Sequence, residues 1–157
     1  MGSYAVVALF HPLEIGTTIS RRAWPAHITL ASNFTTASTP DQIIEVVTEA
    51  APAAEPLNVR FGEEALFGPN HEVRVRLVES EQAVSVHIRL TGKLESLPGF
   101  VPEEPAYWRD GYRPHLTLGP SVTATEGNRE TANSVAVIEI LDSDAKVLAL
   151  LHPRGAR

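Results

Sequence analysis

Two tetrapeptides, His27-Ile28-Thr29-Leu30 and His115-Leu116-Thr117-Leu118, are nearly identical and lie about half a chain apart in a sequence of 157 residues. In an extended segment successive side chains point to opposite faces. Each copy therefore offers an imidazole and a hydroxyl on one face and two apolar anchors on the other. Two imidazoles and two hydroxyls match the needs of phosphodiester cleavage without a metal: one group takes a proton from the attacking oxygen, another gives a proton to the departing oxygen, and donors hold the non-bridging oxygens. Imidazole suits both transfers because its ordinary pKa, ~6.5, lets one ring be neutral while another is charged. A lone His-x-Thr on a strand is ordinarily structural; the second copy makes one shared site the expectation.

The elements that must carry these motifs are readable in outline. Tyr4 to Phe10 is β-rich and apolar and closes at His11-Pro12, and Ala26 to Leu30 reads as a second short strand. Thr39-Pro40-Asp41 supplies a cap, a first-turn proline and an early carboxylate for a helix that stops before Pro52. Leu57 to Phe67 and Glu72 to Val78 flank Gly68-Pro69-Asn70-His71 and predict an antiparallel hairpin. Ser80 to Leu97 fits both a strand alternation and a helical stripe of Val84, Ile88, Thr91 and Leu94; Ser80 as a cap favours the helix. Pro98 to Pro105 is a crossover leading to Tyr107-Trp108-Arg109-Asp110-Gly111-Tyr112-Arg113-Pro114 and the second motif. Thr123 to Asn133 reads as an exposed loop, and Val135 to Leu141 and Val147 to Leu151 as the last strands. Strands and helices mix without a steady βα alternation, so the fold class is α+β with antiparallel pairing.

Composition narrows the ligand. With 43% hydrophobic and 20% charged residues the chain is expected to fold as a single domain over residues 1–157. Its 13 basic and 19 acidic residues give a formal charge of -6, which favours a small nucleotide or an RNA terminus over duplex DNA. The absence of cysteine excludes disulfides, thiolate nucleophiles and Cys-ligated metals. No apolar run is long enough to span a membrane, and Tyr4 to Phe10 lacks the flanks of a signal peptide, so a cytoplasmic protein without a membrane partner is expected. Neither GxGxxG nor GxxxxGK[ST] occurs, and there is no HExxH or other compact metal-ligand pair, so no metal and no cofactor are expected.

On its paired His-x-Thr motifs the chain resembles the two-histidine phosphoesterase superfamily, near the 2'-5' RNA ligase-like and cyclic phosphodiesterase type, from Tyr4 to about Leu151. The resemblance implies a bilobal, pseudo-twofold duplication: two lobes, two antiparallel sheets with helices on the outer faces, and a central cleft. It implies an enzyme, a cyclic phosphodiesterase in which His27 and His115 are catalytic and Thr29 and Thr117 bind phosphate without a metal. The expected reaction opens 2',3'-cyclic phosphates of RNA ends or small nucleotides to 2'-phosphates. A nucleotide- or RNA-binding module with little catalysis, and 2'-5' RNA ligation at the same site, are the alternatives.

Many relatives carry a basic residue soon after a motif, whereas Ala31-Ser32-Asn33 and Gly119-Pro120-Ser121 follow here. Arg113, and after it Arg22, are the candidates to supply that charge to phosphate. Trp108 and Tyr112 are candidates for stacking on a base, against the ordinary alternative that aromatics beside a crossover pack into the core. His11, His71, His87 and His152 have no partner at useful spacing. A monomer is expected.

Overall fold

A computed structural model describes residues 1–51 and 56–152. In chain order its elements are β1 (Gly2–Leu9), β2 (Thr18–Ser20), β3 (His27–Thr36), α1 (Pro40–Ala50), β4 (Leu57–Phe67), β5 (Val73–Glu79), α2 (Glu81–Leu94) and β6 (Val101–Pro102). Two single 3-10 turns, Pro105–Tyr107 and Arg109–Gly111, lead to β7 (His115–Thr117), β8 (Arg129–Ala132), β9 (Ser134–Ile140) and β10 (Asp144–Leu151). The fold is α+β, and its strand pairs are antiparallel.

In place of the two separate sheets expected, the strands follow one hydrogen-bonded path, β2-β10-β9-β1-β3-β7-β5-β4-β8, with β6 also on β3. The two wings meet at β3 and β7, where Ile28 opposite Leu116 is the one pair in register. The helices pack against each other, and α2 also lies over β3 and β4. Their buried side chains join Tyr4, Val6, Ala8, Ile28, Leu30 and Phe34 in the main core, so the helices cover the face opposite His27 and Thr29. A smaller cluster of Val7, Leu9, Ile138 and Val147 lies elsewhere on the β1 wing.

Both helices begin where the side-chain chemistry requires. The Thr39 hydroxyl accepts from the Gln42 N–H at 3.3 Å, the Gln42 side chain accepts from the Thr39 N–H at 2.9 Å, and Pro40 occupies the first turn. α1 ends at Ala50; Pro52, expected to stop it, lies outside the described residues. The Ser80 hydroxyl accepts from the Ala83 N–H at 3.1 Å and settles the helix-or-strand ambiguity in favour of α2.

The buried stripe of α2 is rotated from the one expected. Ala83, His87, Leu90, Thr91 and Leu94 are buried while Val84 and Ile88 face outward, because a histidine bonded to a backbone carbonyl of the sheet takes the central place. The Thr123 to Asn133 loop also contains a strand: Arg129–Ala132 pairs with Leu57–Arg60 as a polar edge, which hydrophobic alternation does not announce.

Leu90→Ala empties a fully buried place between α2 and the sheet and should cost ~2–5 kcal/mol in urea unfolding. Ile88→Ala, on a side chain 57% exposed, should cost less than ~0.5 kcal/mol; equal losses would contradict this packing.

Candidate functional site

Ile28 and Leu116 are each the middle residue of a His-x-Thr triplet, so the antiparallel pair they make relates the triplets by a local twofold. His27 is thereby set beside Thr117 and Thr29 beside His115, with the two histidines on the diagonal, roughly 7–8 Å apart along the backbone. Ile28 and Leu116 are buried beneath them. On the flanking strands Leu9 and Val7 pair with His27 and Thr29, and Leu77 and Val75 with His115 and Thr117. The four polar side chains of both motifs thus share one patch of one sheet face.

The histidines are tethered in the same way. The Nδ1–H of His27 donates to the Pro25 carbonyl at 2.8 Å, and that of His115 to the Arg113 carbonyl at 2.8 Å. A carbonyl only accepts, so each neutral ring keeps its proton on Nδ1 and carries its lone pair on Nε2. Burial holds His27 below the ordinary imidazole pKa; the Pro25 carbonyl opposes this and the nearby His115 reinforces it. Burial likewise lowers His115, with the Arg113 carbonyl opposing and the Arg113 guanidinium reinforcing. The free protein therefore favours two neutral rings.

Just past the first motif β3 carries two extra residues relative to β1: Val7 pairs with Thr29, Val6 with Ala31 and Tyr4 with Phe34. Such bulges re-aim side chains. Leu30 and Ala31 are both buried, and Ser32 and Asn33 line different cavities. The larger cavity, about 900 Å³, is lined by His27, Thr29 and Thr117 together with His11, Arg21, Arg22, Trp24, Asn33 and residues 118–122. The smaller, about 220 Å³, is lined by Thr29, Ser32, Phe67, Tyr107, Tyr112, Arg113 and His115. Among the described residues no Asp or Glu lines either, although acidic residues outnumber basic ones 19 to 13. The site is cationic within an acidic chain, which suits an anionic ligand.

Arg113 reaches the smaller cavity with its guanidinium 5.0 Å from the centre of the Phe67 ring. Among the described residues no three His, Asp or Glu side chains gather as metal ligands would. Trp24 lies with its ring 4.8 Å from that of His27, and Phe67 meets the His115 ring edge-on at 4.6 Å.

The aromatic candidates divide. Trp108 is 6% exposed, wedged edge-on against Phe34 and Phe100, and lines neither cavity. Its expected stacking on a base is therefore corrected to core packing. Tyr112 does line the smaller cavity, but its ring stacks on His87 at 3.9 Å and 4°, and its hydroxyl donates to the Thr29 carbonyl at 2.8 Å. Burial pushes that phenol's pKa up.

His87 itself donates from Nδ1 to the Leu30 carbonyl at 2.7 Å and accepts the Arg109 N–H on Nε2 at 3.0 Å. Arg109 sits in the left-handed region at φ 58 and forks onto the Glu95 carboxylate, with Nε at 3.1 Å. α2 thus grips β3 beside the first motif and the chain entering the second. Sequence spacing gave no hint of this, because His87 lies far from both motifs. His11 also reaches the large cavity, while His71 occupies a hairpin turn and His152 the exposed tail.

The two His-x-Thr triplets thus stand on adjacent central strands of an α+β sheet. The chain belongs to the 2'-5' RNA ligase superfamily, whose family model matches residues 11–148. Its fold resembles TT0787 of Thermus thermophilus, with 18% identity and a TM-score of 0.61, over 99% of this chain and 100% of that one. It also resembles E. coli LigT complexed with NADP+, at 10% identity and a TM-score of 0.57 over 97% of each chain. LigT complexed with 3'-AMP matches at 11% identity and a TM-score of 0.55, over 97% of this chain and 98% of that one. No curated protein matches the chain.

Burial lowers the pKa of His87, so its contribution to stability is complete above the ordinary value of ~6.5 and is lost as pH falls through the lowered folded value. His27 and His115 act in the same sense. Urea unfolding should show stability falling between about pH 7.5 and about pH 5, and falling less in His87→Gln, which lacks one of the three titrations. An undiminished loss in the variant would contradict the buried, neutral assignment.

Proposed function

We propose that this protein is a metal-independent phosphodiesterase that opens 2',3'-cyclic phosphates of small nucleotides or RNA ends. The observation that carries the reading is the pair of Nδ1-tethered imidazoles, each beside a threonine, in a cleft free of lining carboxylates among the described residues. In the reaction one Nε2 lone pair takes a proton from water as its oxygen attacks phosphorus. The other ring, protonated, gives its Nε2 proton to the 3' oxygen as the P–O3' bond breaks, leaving a 2'-phosphate and a 3'-hydroxyl. Thr29 and Thr117 donate to the non-bridging oxygens, and Arg113 adds charge from the smaller cavity.

The cyclic phosphate's negative charge favours protonation of one ring, which the free protein disfavours. The nucleotide complexes of LigT support a nucleotide ligand here as well. The same reading treats the two wings as lobes of an internal duplication, for which the local twofold between the motifs is the support. Ligation at the same pair of rings would put a 5'-hydroxyl in the place of the attacking water, with the same proton taken from the nucleophile and the same proton given to the departing 3' oxygen.

Turnover of a 2',3'-cyclic nucleotide in excess chelator should persist; its loss would overturn the two-histidine mechanism. His27→Ala and His115→Ala should each lower the rate ~10²- to 10⁴-fold, with the double variant little worse, since the two groups act as one unit. Multiplicative losses would place them in separate functions.

The pH profile is a further check. Both rings titrate below ~6.5, so kcat/KM, which needs one ring neutral and one charged, should peak on the acid side of that value. A peak above about pH 7.5 would exclude this pair as the proton carriers of the free enzyme.

A further inference from the structure

Resting on the reading that the His-Thr quartet holds a phosphate, we propose that the large cavity contains a second anion subsite, built on Arg22, for an additional phosphate of the nucleotide. The cavity is about 900 Å³, near the upper end of ordinary ligand pockets, which span roughly 300–1,000 Å³. A single cyclic phosphate at the quartet leaves most of it free.

The chain leading into the first motif sets out the other groups in order. The Trp24 ring lies 4.8 Å from the His27 ring, and Arg22 lines the cavity two residues earlier. Arg22 lies five positions before His27, within at most ~18 Å along the backbone, a span that one extended nucleotide can bridge. The indole offers a flat apolar surface for the nucleoside between two charged ends.

The backbone carrying Arg22 is fixed. The Arg21 guanidinium bridges the Leu141 and Asp142 carbonyls, each at 3.1 Å, the Ala23 N–H donates to the Ser20 carbonyl at 3.0 Å, and the Arg22 N–H to the Ser20 hydroxyl at 3.2 Å. Arg21 is thus committed to the turn between β9 and β10. Arg22, among the described residues, pairs with no carboxylate, in a chain where Arg60, Arg74, Arg76, Lys93 and Arg109 all do. His11 lines the same cavity. Arg22 is exposed and lines a carboxylate-free cavity of an acidic protein, and phosphate is the anion that a guanidinium binds by two parallel hydrogen bonds.

Calorimetry with three product-like ligands tests this independently of turnover. Adenosine 2',5'-bisphosphate should bind the intact protein ~10-fold or more tightly than adenosine 2'-phosphate, and Arg22→Ala should close that gap. Equal affinities in the intact protein, or a gap that survives Arg22→Ala, would overturn the subsite whatever the catalytic result. A dinucleotide ending in a 2'-phosphate separates the sources of the second phosphate. A matching gain lost in Arg22→Ala supports the subsite and assigns it to RNA ends, whereas a gain confined to the bisphosphate supports it for free nucleotides. Failure to hydrolyse a cyclic nucleotide while the gap remains would remove the hydrolytic reading and leave the subsite standing.

Discussion

The pairing of Ile28 with Leu116 fixes the geometry of everything on the cleft face. A slip of one residue in either strand would turn that strand's imidazole toward the core and bring its buried aliphatic side chain to solvent. A slip of two would keep the faces but separate each histidine from the threonine across from it. One registered pair is little backbone pairing to resist such slips, so each strand is held by its outer neighbour, β3 by β1 and β7 by β5, and by side chains beyond the sheet. Tyr112 ties its own segment to the Thr29 carbonyl, and His87 ties α2 to Leu30 and Arg109 at once.

Electrostatics then acts on an already rigid frame. The two carbonyl tethers decide which nitrogen of each ring is free, and burial favours the neutral form of both rings. Arg113 lies over Phe67, close enough to lower the His115 pKa, and Arg21 is tied to the β9–β10 turn. Charge is available at the edges of the cleft while its floor stays neutral. That arrangement favours an incoming anion without fixing the protons prematurely.

The motifs, the Thr39 and Ser80 caps and the β4–β5 hairpin were legible because each rests on local chemistry: a hydroxyl three residues before an amide, or a period of two along a strand. What the sequence concealed came from long-range contacts. Bulges break the period in β3, so Ser32 and Asn33 could not be assigned to cavities. A polar edge strand, β8, carries too little apolar alternation to register. For Trp108 stacking and core packing both stayed open, because its partners, Phe34 and Phe100, come from distant segments. His87 looked idle because both of its hydrogen-bond partners are backbone groups, and backbone groups leave no mark on composition. The catalytic roles drawn from the motifs remain the proposal made above, on a geometry that brings their side chains to one patch.

The local twofold has a consequence for stereochemistry. A symmetric pair of imidazoles carries no intrinsic preference between the two ester oxygens of a cyclic phosphate, since exchanging the rings returns the same arrangement. Ribose is chiral, however, and the cavities on either side are unequal, about 900 Å³ against 220 Å³. On the proposed reading, the seat of the sugar selects which oxygen faces which ring. Regiochemistry would then belong to the walls, through Trp24 on one side and Phe67 and Tyr107 on the other, and could change without altering either motif.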